Sequence, residues 1–386
     1  MTVKDRIAGY AEEMTAWRQD FHAHPELGFE ETRTSQIVAD KLAQWGIEVH
    51  RGIGGTGVVG LIEGKRGGGR RIGLRADMDA LPIEEATNLP YRSRNEGVSH
   101  ACGHDGHTTM LLGAARYLAE TRDFAGTAVL VFQPAEEGLG GARAMIADGL
   151  FDRFPCDEIY ALHNAPEAPR NQISVWPGVA MAGADFFDIK ITGRGAHGAK
   201  PHNAIDPVII AVSLAQALQT IVSRNIDPRN PLVLSITQIH AGTAYNVIPD
   251  DATLAGTLRA FDETELALAR RRIEELAKGV AASFGGEAEV DIRPIFSVLR
   301  NDAVAVDGVA QASRDIVGEA LVSTGNELRT ASEDFADMLK AVPGAYFFLG
   351  QDNDVPLHNP GYLFDDEILP VGASLLARLV ETRSAA

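Results

Sequence analysis

Residues 127–137 read TAVLVFQPAEE: a short apolar run, a proline that stops it, and two glutamates. A run of that kind predicts a strand buried on both faces, as in parallel sheets. Three other stretches repeat the arrangement. Ile72–Arg75 is followed by Asp77 and Asp79, Ile159–Leu162 by His163, and Ala345–Leu349 by a loop carrying His358. In an open α/β sheet, ligands bind in the crevice beyond the carboxyl ends of the strands. Four strands delivering carboxylate or imidazole groups to that edge therefore predict a site assembled across it.

Outward from these strands, Thr34–Trp45 predicts an amphipathic helix, with Ile37, Val38, Leu42 and Trp45 at helical spacing. Between residues 182 and 292 the character changes. Strands over 185–193, 232–242, 252–261 and 288–294 alternate with helices over 206–224 and 263–284, in the β-α-β-β-α-β order of a ferredoxin-like sheet. The expected architecture is α/β: a discontinuous domain, 1–181 and 293–386, with a mixed, mostly parallel sheet flanked by helices. Residues 182–292 form an inserted ferredoxin-like α+β domain. GIGGTG (52–57) matches a dinucleotide fingerprint but runs into a strand instead of a helix, so it carries no nucleotide. GKRGGGRR (64–71) reads as a solvated hairpin loop.

The 386 residues carry a formal charge of −18 with 45% hydrophobic content. Acidity of that size argues against nucleic acid or an anionic membrane as partner, since both need basic surface. The first residues are charged throughout, and no stretch approaches the ~20 apolar residues of a membrane helix. A cytoplasmic location is the expectation. Only Cys102 and Cys156 are cysteines, so no disulfide framework is implied.

Residues 100–107, HACGHDGH, concentrate coordinating groups. Cys102 there reads as a nucleophile, a ligand in a closed structural zinc site, or part of an open metal centre. A closed site would show two compact ligand pairs, whereas the other candidates are single residues spread along the chain. His100, Cys102 and His104 alternate, which predicts that they share one side of an extended stretch, with Asp105 and Thr108 capping a helix over Met110–Glu120. Cys102, His104, Glu137, His163 and His358 outnumber the ligands of one tetrahedral site. Five donors plus a bridging water suit two metals about 3.5–4 Å apart. Of Glu136 and Glu137, one can be a ligand and its neighbour the base; spacing alone leaves the order open.

At these residues the chain resembles the zinc-peptidase-type amidohydrolase family that includes hippurate hydrolase, aminoacylases, auxin-conjugate amidohydrolases and related carboxypeptidases. The resemblance runs nearly end to end, through RQDFHAHPELGFEE (18–31), LRADMDALPI (74–83), SHACGHDGH (99–107), FQPAEEG (132–138), LHN (162–164), GRGAHGAKPH (193–202), AYNVIP (244–249), GTLRAFD (256–262), SEDFA (332–336) and LHNP (357–360). It implies metal ligands at Cys102, His104, Glu137, His163 and His358, with Cys102 shared by two divalent ions. Zinc is favoured by thiolate and imidazole; manganese, cobalt or nickel are also admitted. It implies Glu136 as the general base that activates a metal-bridged water, and Asp79 as the acid that orients a ligand. The wider family has a ligand histidine where this chain has Asp77, which is therefore not counted as a ligand. His197, Asn246 and Arg259 match residues that contact the substrate carboxylate or the oxyanion. In dimeric relatives the histidine comes from the partner's inserted domain, which implies a homodimer through a lid and dimerisation domain.

The expected function is metal-dependent hydrolysis of N-acyl amino acids, hippurate-like or other conjugates, or of short peptides. Two alternatives compete: a thiol hydrolase with Cys102 as nucleophile, and a non-catalytic protein that binds amino-acid conjugates or peptides. The first leaves Glu136, Glu137, His163 and His358 without roles. The second leaves a full ligand set and base unexplained.

Overall fold

The computed structural model describes residues 2–385. It divides into two compact units: the chain up to Ala180 with Arg300–Glu327 and the chain from Asp334 onward, and Met181–Leu299 with Leu328–Glu333.

The first unit is built on β1 (Glu48–Ile53), β2 (Gly57–Glu63), β3 (Arg71–Asp77), β4 (Thr127–Gln133), β5 (Glu158–Ala165), β6 (Ile173–Ser174), β7 (Val322–Ser323) and β8 (Gly344–Gly350). They form one sheet in the order β1-β2-β4-β3-β5-β8-β6-β7. The central strands β4, β3, β5 and β8 are mutually parallel, so their carboxyl ends share one edge. Alternate residues serve opposite faces. Ile72, Leu74 and Ala76 of β3 and Ala128, Leu130 and Phe132 of β4 join Met110, Leu111 and Ala114 of the helix His104–Thr121 in one core. The intervening Val129 and Val131 are equally buried, as a sheet covered on both faces requires.

GIGGTG is the turn joining antiparallel β1 and β2. GKRGGGRR is solvated but is not a hairpin. β2 pairs with β4, which lies between it and β3, so the loop crosses a strand before β3 begins. The pairing also carries β5 through Ala165 against β8, which puts His163 inside the strand instead of after it.

In the second unit, four antiparallel strands lie in the order Leu232–Ala241, Asp251–Ala260, Gly183–Thr192, Glu287–Phe296. The helices Pro207–Thr220 and Glu263–Ser283 open on Asp206 and Asp262, whose carboxylates accept from the first-turn N–H groups. Phe187, Ile189 and Ile191 are buried while their neighbours in Gly183–Thr192 are exposed, so the sheet is covered on one face. A separate ribbon pairs Ala196–His197 with Val247–Ile248.

One expectation needs correction here. Pro207–Asn225, 19 residues at mean hydropathy 1.3, is long and apolar enough to cross a membrane. It reaches that value because its outer side is apolar too. Val208, Ile209 and Val212 are exposed, while Ile210, Leu214 and Leu218 pack beneath.

Candidate metal centre

The candidate site is built at the common edge of β3, β4, β5 and β8, all within the first unit. Beyond β3 the chain presents Asp79; beyond β4, Glu136 and Glu137; from the end of β5, His163; and from the loop after β8, His358. Cys102 arrives from the segment before the helix that begins at His104.

Gly103 makes that entry, at φ 92°. A Cβ at this position would stand 2.5 Å from Asn164 Oδ1, so only glycine fits. The left-handed turn breaks the extended stretch and overturns the expected alternation. Cys102 and His104 converge with His163, their ligand atoms within 4.8 Å of one another. His100 instead packs beside His22 at 6.4 Å between ring centroids, buried and pushed down to about 4 by that burial. Neither Asp105 nor Thr108 caps the helix. Asp105 binds Arg18 and His22, and the Thr108 hydroxyl donates to Asp77 O at 2.9 Å.

The imidazoles are aimed by the partners of their Nδ1 atoms. His104 Nδ1 lies 3.1 Å from Asp79 Oδ1 and 2.9 Å from Asp79 O. His163 Nδ1 donates to Asn164 O at 2.7 Å. Their Nε2 lone pairs therefore point into the site. His163 Nε2 is 3.4 Å from Cys102 Sγ. His104 Nε2 and Glu137 Oε1 are buried without a hydrogen-bond partner among the described residues, 3.9 Å apart. Glu137 Oε1 is also 3.2 Å from His358 Nε2, though not in hydrogen-bond alignment. Ligand atoms of Cys102, Glu137 and His358 form one cluster, and those of His104, Glu136 and Glu137 another.

Burial opposes charge on His104, but Asp77, Cys102 and Asp79 outweigh it and raise its pKa. The adjacent Cys102 and Glu137 side chains, outweighing burial, hold His358 up to about 10. Burial, aided by the charge of His107, keeps His163 neutral, as a nitrogen ligand must be. Burial also pushes the Cys102 thiol up, with the Glu137 carboxylate adding to it, which is the wrong direction for a free nucleophilic thiolate. A divalent ion there would remove the thiol proton outright. Unpaired buried donors, a thiol and clustered carboxylates fit a divalent cation by their chemistry.

Asp77 and His107 have other engagements. Asp77 accepts from Arg75 Nη1 at 2.7 Å and lies 2.6 Å from His107 Nδ1. Burial would raise its pKa, but His104, Arg75 and His107 hold it well below the usual range. His107 Nε2 faces Asn164 Oδ1 at 2.6 Å. Both nitrogens of His107 and both oxygens of Asp77 thus already have protein partners. Sequence reading assigned no role to the buried partners of Arg75, although an arginine inside an apolar strand signals one. Its guanidinium also binds Gln133 Oε1 at 2.8 Å and Asp334 Oδ1 at 3.2 Å. This network ties the ends of β3 and β4 together.

Two backbone positions on the site's rim are left-handed without being glycine: Ala135 at φ 52° and His358 at φ 62°. Each such residue is strained by roughly 1–2 kcal/mol. His358 N–H donates to Ala101 O at 2.8 Å, which anchors its loop to the Cys102 segment.

His197, Asn246 and Arg259 belong to the second unit. The ribbon brings His197 and Asn246 together, both exposed, with Gly198 N–H donating to Asn246 O at 2.8 Å. Arg259 lies on the main sheet, half-buried, its Nη1 donating to the Thr257 hydroxyl and to Leu258 O. It has no ion pair with a carboxylate among the described residues, and burial pulls its pKa down.

Comparison with known proteins supplies a context for this geometry. Residues 73–382 match the sequence pattern of peptidase family M20/M25/M40. A hippurate hydrolase from Campylobacter jejuni is 45% identical over 362 residues, 94% of each chain. A thermostable carboxypeptidase from Saccharolobus solfataricus is 38% identical over 97% of each. A solved Bacillus subtilis structure, described as a dinuclear metal binding peptidase, is 33% identical with a TM-score of 0.85, covering 98% of this chain and 99% of that one.

Proposed function

The chain belongs to peptidase family M20/M25/M40 and is a metallo-amidohydrolase; we propose that it holds two divalent ions and cleaves the amide bond of N-acyl amino acids or short peptides. The observation that carries this reading is the convergence of Cys102, His104, His163, His358 and Glu137, with His104 Nε2 and Glu137 Oε1 buried and unpaired. These five are the proposed ligands, Cys102 being shared. Bound divalent ions, zinc first among them for a thiolate and imidazole set, supply Lewis acidity towards water and towards the scissile carbonyl.

The chain's own groups do the rest. Glu136 takes a proton from the attacking water and returns it to the departing amine nitrogen. Asp79 keeps His104 in the tautomer that offers Nε2, and its other oxygen accepts the Glu137 N–H at 3.0 Å. Arg259 grips the substrate carboxylate, while His197 and Asn246 donate to the oxyanion or the carboxylate. A half-buried guanidinium with no ion pair to a carboxylate among the described residues supports the role given to Arg259.

A panel of N-benzoyl, N-acetyl and N-indolylacetyl amino acids and dipeptides, run beside metal analysis, tests the reading. Hydrolysis of at least one acyl class is expected. Converting that substrate's carboxylate to an amide should lower kcat/KM about 10–100-fold, the worth of one charge-assisted contact. An equal rate on the amide would remove Arg259 from its role, and no hydrolysis by the metal-loaded protein would favour a binding protein.

A homodimer through the second unit is part of the proposal. Val208, Ile209 and Val212 form an exposed apolar strip, and the edge strand Leu232–Ala241 carries exposed Val233 and Ile239. Such an edge needs cover. Light scattering at micromolar concentration should give a dimer mass, and Ile209→Glu with Val212→Glu should give a monomer. A wild-type monomer would overturn this part.

A further inference from the structure

The segment PELGFEE, residues 25–31, has no part in the chemistry above, yet it touches both loops that carry the acids. Ala80 N–H donates to Glu26 O at 2.8 Å, and Leu27 forms a parallel bridge with Ala80, next to Asp79. Gly28 lies against the other loop: a Cβ there would come within 3.0 Å of Ala135 Cα and Cβ. Glu31 then reaches the same residue. It occupies the N-cap position of the helix Thr32–Gln44, but its side chain makes no cap bond and turns inward. The carboxylate is completely buried. One oxygen accepts the Ala135 N–H at 2.8 Å and the other accepts the Thr56 hydroxyl.

Ala135 is the left-handed residue that precedes Glu136 and Glu137. The N–H groups on either side of Glu136 thus each donate to a buried carboxylate: Ala135 to Glu31, Glu137 to Asp79. Two fixed points one residue apart on either side set the direction in which Glu136 leaves the chain. A helix cap would not need a buried carboxylate, and a core filler would not need an acceptor.

We propose that Glu31 is a positioning residue, whose buried carboxylate holds Ala135 in the left-handed turn that aims Glu136 and Glu137 at the metal centre. The inference rests on the roles proposed for those two glutamates. Small displacements of reacting groups are costly in rate, so a loosened turn lowers kcat more than it alters binding.

The test compares wild type, Glu31→Ala, Glu31→Gln and the double variant Glu31→Ala/Ala135→Gly as full chains. Amide hydrogen exchange over residues 134–141 is read in the metal-free protein, and metal content, kcat and KM in the loaded one. Glu31→Ala should exchange about tenfold faster in that segment and lose roughly 10–100-fold in kcat, with KM within about twofold. Glu31→Gln keeps a carbonyl acceptor for Ala135 and an amide donor for Thr56, so it should recover most of both. Ala135→Gly removes the strain the carboxylate opposes, because glycine adopts positive φ freely, so the double variant should recover part of the protection and of kcat.

Wild-type exchange and kcat in Glu31→Ala would overturn the proposal. So would a double variant no better protected than Glu31→Ala. Should Glu31→Ala melt below the assay temperature, Glu31→Gln and the double variant decide: a double variant that folds and regains protection supports the proposal, and one that stays unfolded overturns it. Absence of hydrolysis in the wild type refutes the functional reading alone, since the exchange comparison needs no turnover.

Discussion

Glu136→Gln is expected to lose about 10²–10⁴-fold in kcat, the range of a positioned general base, while metal content and KM stay near wild type. The expectation follows from the division of labour proposed for the adjacent glutamates. Glu137 Oε1 lies among His104, His358 and Cys102 and lacks a hydrogen bond, as a ligand atom should. Glu136 is the more deeply buried of the two, and its carboxylate approaches His104 and Glu137 without joining the Cys102 cluster. Glutamine matches glutamate in size but cannot take a proton, so the variant removes the base and leaves the shape. Glu137→Gln should behave differently, losing bound metal before turnover is considered. If Glu136→Gln instead lost metal and kept its rate per bound ion, the two roles would have to be exchanged.

Exhaustive chelation is expected to abolish hydrolysis, and added zinc or manganese to restore it. The metal-free site gathers the carboxylates of Asp79, Glu136, Glu137 and Asp77 and leaves Glu137 Oε1 and His104 Nε2 buried without a hydrogen bond among the described residues. Metal binding should therefore stabilise the fold as well as activate it. At free metal a hundredfold above its Kd the gain is about 2.7 kcal/mol for one ion, so the melting temperature should rise on reloading. Cys102→Ala should retain less metal than wild type and lose activity in step with that loss. Activity that survived chelation but died on thiol alkylation would restore Cys102 as a nucleophile. The direction of its pKa shift, upward through burial, speaks against that outcome.

The strands of the first unit were legible because each is a short apolar run ending in chemistry-bearing residues. The observed β3, β4, β5 and β8 lie over the expected stretches. Errors fell where pairing or backbone conformation overrides local pattern. GKRGGGRR looked like a hairpin because its flanks are strands, yet β4, from much later in the chain, takes the place between them. His163 was read as lying beyond its strand because the apolar run ends at Leu162, whereas hydrogen bonding to β8 continues to Ala165. The apolar outer face of Pro207–Asn225 escaped notice because its polar neighbours break the run without making the helix polar.

Residue type and spacing along the chain sufficed to name candidate coordinating groups and the edge where they gather, because a side chain's chemistry and a strand's direction are local properties. Which of them meet is not local. His100 packs beside His22 while Cys102 and His104 converge on His163, Arg75 and His107 occupy Asp77, and Glu31 reaches over a hundred residues along the chain to Ala135. Those outcomes depend on which lone pairs and N–H groups remain unpaired once distant segments are packed together, and only the folded chain settles that count.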